Sequence, residues 1–263
     1  MQDYYYQSLL QFILIEKTIK KLIFLIKSRL FKNSFYTGIS LLFIGFTPSI
    51  FNFLVARFFG PKTLGEINVT INFCLLITIF ITNFFGSSGN KLLAEYRGRK
   101  NKSNFIYTFK IIFFGSMGTL IISCISLFFL WEYIFKRFSL SEELLFPIII
   151  FIFLRTVYIL LRKTFYGVDL VKQYTLNEIL SAIVMLLMIG YVCIYNWPKL
   201  LIHTYLISYS CFIMLGVNTL IKNWKKITKK MDMPVDFSRK NVIREFSIYK
   251  FFPSSNFITL FLN

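Results

Sequence analysis

The sequence predicts an all-α fold: a polytopic membrane helix bundle with six transmembrane helices and the truncated start of a seventh. Three observations carry that expectation. Hydrophobic residues make up 56% of the 263 and aromatic residues 19%, with a mean hydropathy of +0.63, which is more apolar surface than one soluble core can hide. The apolar residues gather into stretches of about the 17 to 25 residues that a helix needs to cross a bilayer. The loops between them alternate in charge: 25 of the 30 Lys and Arg lie before the first stretch, around the second and fourth loops, or after the sixth stretch. The first, third and fifth loops hold the remaining Arg57, Lys62, Lys136, Arg137 and Lys199. That asymmetry follows the positive-inside rule and places the N-terminus in the cytoplasm.

Residues 1–34 read as an amphipathic helix on the inner leaflet. Leu9, Phe12, Ile13, Ile19, Leu22, Ile23, Ile26 and Leu30 recur at helical spacing, with lysines and an arginine among them. Those cations make insertion as a further span costly. Asp3 and the tyrosines beside it, without a basic n-region, argue against a cleaved signal peptide. The six spans are expected at 35–56, 67–85, 111–130, 144–161, 179–195 and 200–221, each helical because backbone amides in hydrocarbon must be satisfied within the segment. Pro48, near the middle of the first, removes a backbone donor and predicts a bend, a candidate gating kink. Gly115, Gly118, Ser123 and Ser126 offer small residues for close helix contact on the third. Residues 35–221 thus form the membrane lobe, 222–250 a basic connector, and 251–263 an apolar run too short to cross.

A net charge of +18 does not point to nucleic acid when the cations sit beside spans; they face anionic membrane lipids. Cys74, Cys124, Cys193 and Cys211 lie inside spans without metal-ligand spacing, so no metal is expected. No Gly-rich phosphate loop and no Asp-rich cluster appears, which excludes direct use of ATP and a magnesium-held diphosphate. No cofactor is implied. All twelve acidic residues fall outside the expected span centres, with Glu66 and Glu178 near span ends. A buried carboxylate for proton or sodium coupling is therefore not expected. Arg155, about two turns inside the fourth span, is a functional candidate because an intramembrane cation is expensive; the alternative is snorkelling to headgroups.

Leu54, Val55, Ala56, Arg57, Phe58, Phe59, Gly60, Pro61, Lys62, Thr63, Leu64 and Gly65 close the first span with an arginine, a Gly-Pro turn and a glycine at the next helix. Here the chain resembles the polysaccharide (O-antigen) flippases of the multidrug, oligosaccharidyl-lipid and polysaccharide exporter superfamily, with Phe59 for the usual leucine and Lys62 where an acidic residue is common. Asn33 and Ser34, Gly86 to Gly89 before the run from Lys91 to Lys100, and the loop from Arg162 to Glu178 match further family features in order, so that the likeness runs over roughly residues 20 to 260. The resemblance implies one lobe of a two-lobe transporter, not an enzyme. It implies flipping of an undecaprenyl-diphosphate-linked oligosaccharide, an O-antigen or capsule repeat unit, across the bacterial cytoplasmic membrane, with a second lobe or a homodimer as partner. On this reading Arg155, with Arg57 at the outer end and Arg162 at the inner end, contacts the lipid diphosphate. The alternatives are a non-functional fragment or accessory membrane subunit, and an integral-membrane glycosyltransferase or polymerase.

Overall fold

The structure, a computed structural model, describes residues 29–138, 144–229, 231 and 242. The expected inner-leaflet helix up to residue 28, the connector beyond 229 apart from those two residues, and the run 251–263 lie outside the described residues. The described chain is almost entirely helical. Its elements are α1 (Arg29–Gly98), α2 (Lys102–Phe138), α3 (Leu145–Gly167), α4 (Val171–Ile194), a short 3-10 turn (Pro198–Leu200) and α5 (Leu201–Lys229). All five helices are long and apolar enough to cross a membrane.

Helix α1 is two limbs. Its backbone leaves the helical region at Gly60, with φ 85° and ψ 169°, a conformation that is essentially glycine-only. Pro61 follows, where the second limb starts and a missing N–H costs nothing. The limbs double back on each other. Asn33 Nδ2 donates to Asp169 Oδ1 at 2.8 Å and Arg97 Nη2 donates to Asp169 Oδ2 at 3.0 Å, yet in a straight helix residues 33 and 97 would stand about 96 Å apart. The expected segments 35–56 and 67–85 fall one in each limb. Pro48 lies inside the first limb, and Ser49 Oγ donates to the Gly45 carbonyl at 3.0 Å beside it.

Tertiary bonds tie α3 and α4 to these limbs and α5 to α4. Thr175 Oγ1 of α4 donates to the Tyr36 carbonyl at 2.9 Å, and Lys163 Nζ of α3 to the Thr82 carbonyl at 3.0 Å. Ser208 Oγ of α5 donates to the Ser181 carbonyl of α4 at 2.9 Å. Close approach between α1 and α2 occurs at Gly89, whose missing Cβ would fall within the Ile112 side chain. The small residues expected to make such a contact on α2 do not all do so: Gly118 has no atom within 4 Å of where its Cβ would be, and Ser126 is exposed.

An aromatic core fills the centre of the bundle. Tyr205 meets Phe51 with ring centroids 4.9 Å apart, and Tyr158 meets Tyr209 at 5.1 Å and Phe212 at 4.7 Å. The outside is equally apolar: Phe129 is 79% and Ile194 80% exposed, and Leu42, Phe80 and Phe114 also point outward. Such a surface belongs in lipid. Tyr191, Tyr195 and Trp197 cluster at the α4–α5 junction, as interfacial aromatics do. From Leu201 to Lys222, α5 rises about 31 Å, close to the thickness of a hydrocarbon core. The protein is a multi-pass membrane protein.

Candidate functional site

A partly open cavity of about 180 Å³ lies in the bundle, lined by both limbs of α1 and by α3, α4 and α5. The α1 limbs contribute Thr47, Pro48 and Asn52 from one side of Gly60 and Asn68 and Asn72 from the other, which is possible because the limbs are antiparallel. Helical periodicity places Arg155, Tyr158 and Arg162 on one face of α3, since residues three and seven positions on return to the same stripe. Tyr174, Glu178 and Ser181 share a face of α4, and Tyr205 and Tyr209 one of α5, by the same spacing.

These faces meet in a charged and aromatic cluster. Arg155 Nη1 donates to Tyr209 Oη at 2.8 Å, and its guanidinium carbon lies 4.8 Å from the ring centroid of Tyr158 and 5.0 Å from that of Tyr209. The cation is thereby held by cation–π contact as well as by a hydrogen bond. Tyr158 Oη donates to Glu178 Oε1 at 2.8 Å. Glu178 is only 7% exposed, so tyrosines bridge a cation and a carboxylate across three helices. Three polar atoms of the cluster have no hydrogen-bond partner, Arg155 Nε, Tyr174 Oη and Glu178 Oε2, and Arg155 and Glu178 line the cavity. A buried donor and acceptor left open in this way cost free energy unless something enters to meet them.

Of the residues singled out in the sequence, Arg155 and Pro48 come together at the cavity. Arg162 is half-buried, with its guanidinium 5.8 Å from the Tyr174 ring centroid, and does not line the cavity. Arg57 is exposed near the Gly60 turn and is likewise outside it. Glu178 corrects the expectation that no carboxylate is buried in the membrane lobe. Helix α4 begins at Val171, eight residues before the expected start of that span, which carries Glu178 two turns into the bundle. The signal for it was the polar stripe Tyr174, Glu178, Ser181 at helical spacing.

Among the described residues no group of three or more His, Cys, Asp or Glu is placed to hold a metal ion. The four cysteines are free, with Cys74 and Cys193 buried. The site is that of a multi-pass helical membrane protein with a polar, charge-bearing cavity inside its bundle. Compared with protein-family models, with curated proteins and with solved structures, the chain matches none.

Proposed function

We propose that the chain forms a six-span transporter lobe that takes part in moving an undecaprenyl-diphosphate-linked oligosaccharide from the inner to the outer leaflet of a bacterial cytoplasmic membrane. The six crossings are the two limbs of α1 and the helices α2 to α5, with the lysine-rich end in the cytoplasm. The observation that carries the reading is Arg155: a cation inside the bundle, set against the adjoining rings of two tyrosines, with its Nε unpartnered at a cavity wall. Moving a diphosphate and a polar glycan through hydrocarbon needs a wet, cationic path, and an arginine fork suits phosphate oxygens. The resemblance around Arg57 to Gly65 points the same way.

At about 180 Å³ the cavity holds only a small part of such a substrate. The lobe therefore supplies one wall of the path and a facing lobe the other, with access alternating as the two rock about it. A second copy of the chain or another polypeptide would serve. The protein acts as a transporter and not an enzyme, and Pro48, in the cavity wall, is the candidate hinge. The test is complementation in a strain lacking its polysaccharide flippase, with surface glycan as readout and membrane insertion verified by immunoblot. Restoration by the wild-type chain, alone or with a facing lobe, and its loss in Arg155→Ala is the expected result. Full restoration by Arg155→Ala would remove Arg155 from the mechanism, and failure of every inserted form would remove the flippase reading.

A further inference from the structure

A second hollow, apart from the central cavity, lies on the flank of the bundle between α2, α3 and α5. It has a volume of about 520 Å³ and runs from Phe109 to Met117 on α2, from Val157 to Thr164 on α3, and from Val217 to Lys225 on α5. Its wall is almost wholly apolar. The Thr164 hydroxyl donates to the Leu160 carbonyl at 2.8 Å, so this polar wall group is already satisfied.

The two ends of the groove differ. Trp224 and Lys225 stand at one end, with the Trp224 ring against those of Phe105 and Phe109 at centroid distances of 6.1 and 5.1 Å. Lys222, Lys225 and Lys226 are all exposed on the last turns of α5. The other end, at Met117, Val157 and Val217, carries no charge. The span from one end to the other is eight residues on α5, about 12 Å of helix. That is somewhat less than half of a hydrocarbon core of about 30 Å.

We infer that this groove seats an anionic phospholipid of the lysine-side leaflet, with an acyl chain along the apolar wall and the phosphate at Lys225. Three features select that occupant. The depth matches one leaflet, so a transmembrane helix, which must continue through the second, has no groove to follow beyond Val217. A carrier prenyl chain several leaflets long overruns it as well. The aromatic ring and the lysines lie at one end only, where a headgroup lies, and a lysine near an anionic membrane surface is attracted to it.

The test uses the full chain in phosphatidylcholine vesicles containing equal mole fractions of chain-brominated lipid, either phosphatidylglycerol or phosphatidylcholine. Subtracting the signal of Trp224→Phe isolates Trp224 from Trp131 and Trp197. Brominated phosphatidylglycerol is expected to occupy the site about fivefold more readily than brominated phosphatidylcholine, the factor one lysine contributes at such a surface. Lys225→Gln, an exposed position where folding is not at stake, should abolish the preference while leaving quenching by both lipids. Val217→Phe, which fills the inner end, should weaken quenching by both. Equal quenching of the wild type by the two lipids would overturn the inference, as would a preference unchanged in Lys225→Gln. Absence of quenching by either lipid would also overturn it, since another protein surface would then cover the groove.

Discussion

Arg155 is held by a geometry that other residues cannot reproduce. Arg155→Lys keeps a cation, but a compact ammonium cannot reach both the Tyr158 and Tyr209 rings while bonding the Tyr209 hydroxyl as the broad guanidinium does, and the variant should lose about 1 kcal/mol. Arg155→Ala removes the cation next to the Tyr158–Glu178 pair and should cost about 3 kcal/mol, because breaking a buried charge arrangement strands the remaining group. The coupling is the sharper prediction. If cation and carboxylate offset each other through the tyrosines, Glu178→Gln should recover at least about 1 kcal/mol in the Arg155→Ala background while being destabilising alone. Thermal unfolding of the four detergent-purified forms measures this, and strictly additive shifts would show the two groups to be independent. Arg155 was legible in the sequence as one cation inside an apolar run. Glu178 was not, because hydropathy starts a span after the last charge, whereas the backbone starts a helix where its own hydrogen bonds begin, here at Val171. What makes the deeper start tolerable is the polar face of α3 opposite, and a neighbouring helix is invisible in a linear reading.

At the scale of elements, glycines separate two kinds of constraint. Gly60 turns α1 back on itself through a backbone conformation closed to side chains, so Gly60→Ala should cost about 1 to 3 kcal/mol although space is open around it. Gly89 has an ordinary conformation but no space, since a methyl group there overlaps the Ile112 side chain. Ile112 is β-branched and stiff at χ1, so Gly89→Ala should also cost about 1 to 3 kcal/mol by overpacking. Gly118 is the control: with nothing nearby, Gly118→Ala should be neutral or gain up to about 1 kcal/mol from helix propensity. Melting temperatures of the three variants should therefore fall, fall and hold. A rise for Gly89→Ala would show that the α1–α2 approach is not tight. The Gly-Pro turn after Arg57 could be read from the sequence because its chemistry is local. The contact at Gly89 could not, and the small residues on α2 that looked suited to such a contact include Gly118, which faces open space.

For the whole molecule, the apolar runs and the alternating loop charges foretold a helical membrane bundle, because both are sums over segments and do not depend on which faces meet. The cavity depends on pairing: it exists because the limbs of α1 fold together and bring residues on either side of Gly60 to Arg155 and Glu178. The orientation proposed from the same sums is tested through α5, whose ends carry opposite markers, the Tyr191–Tyr195–Trp197 cluster near Leu201 and the lysines from Lys222 onward. If α5 crosses with its lysines in the cytoplasm, a thiol placed by Asn196→Cys should react with a membrane-impermeant maleimide in intact cells. One placed by Lys226→Cys should react only after permeabilisation. Cys74 and Cys193 are buried, and Cys124 and Cys211 lie partly buried within apolar helices, so their background should be low, and a form without them removes it. Both positions are turned away from the central cavity, so labelling reports sidedness without disturbing the cluster. Labelling of both from the same side would mean that α5 does not cross. Labelling of Lys226→Cys alone in intact cells would invert the lobe and place the lysine end, and with it the lipid groove, in the outer leaflet.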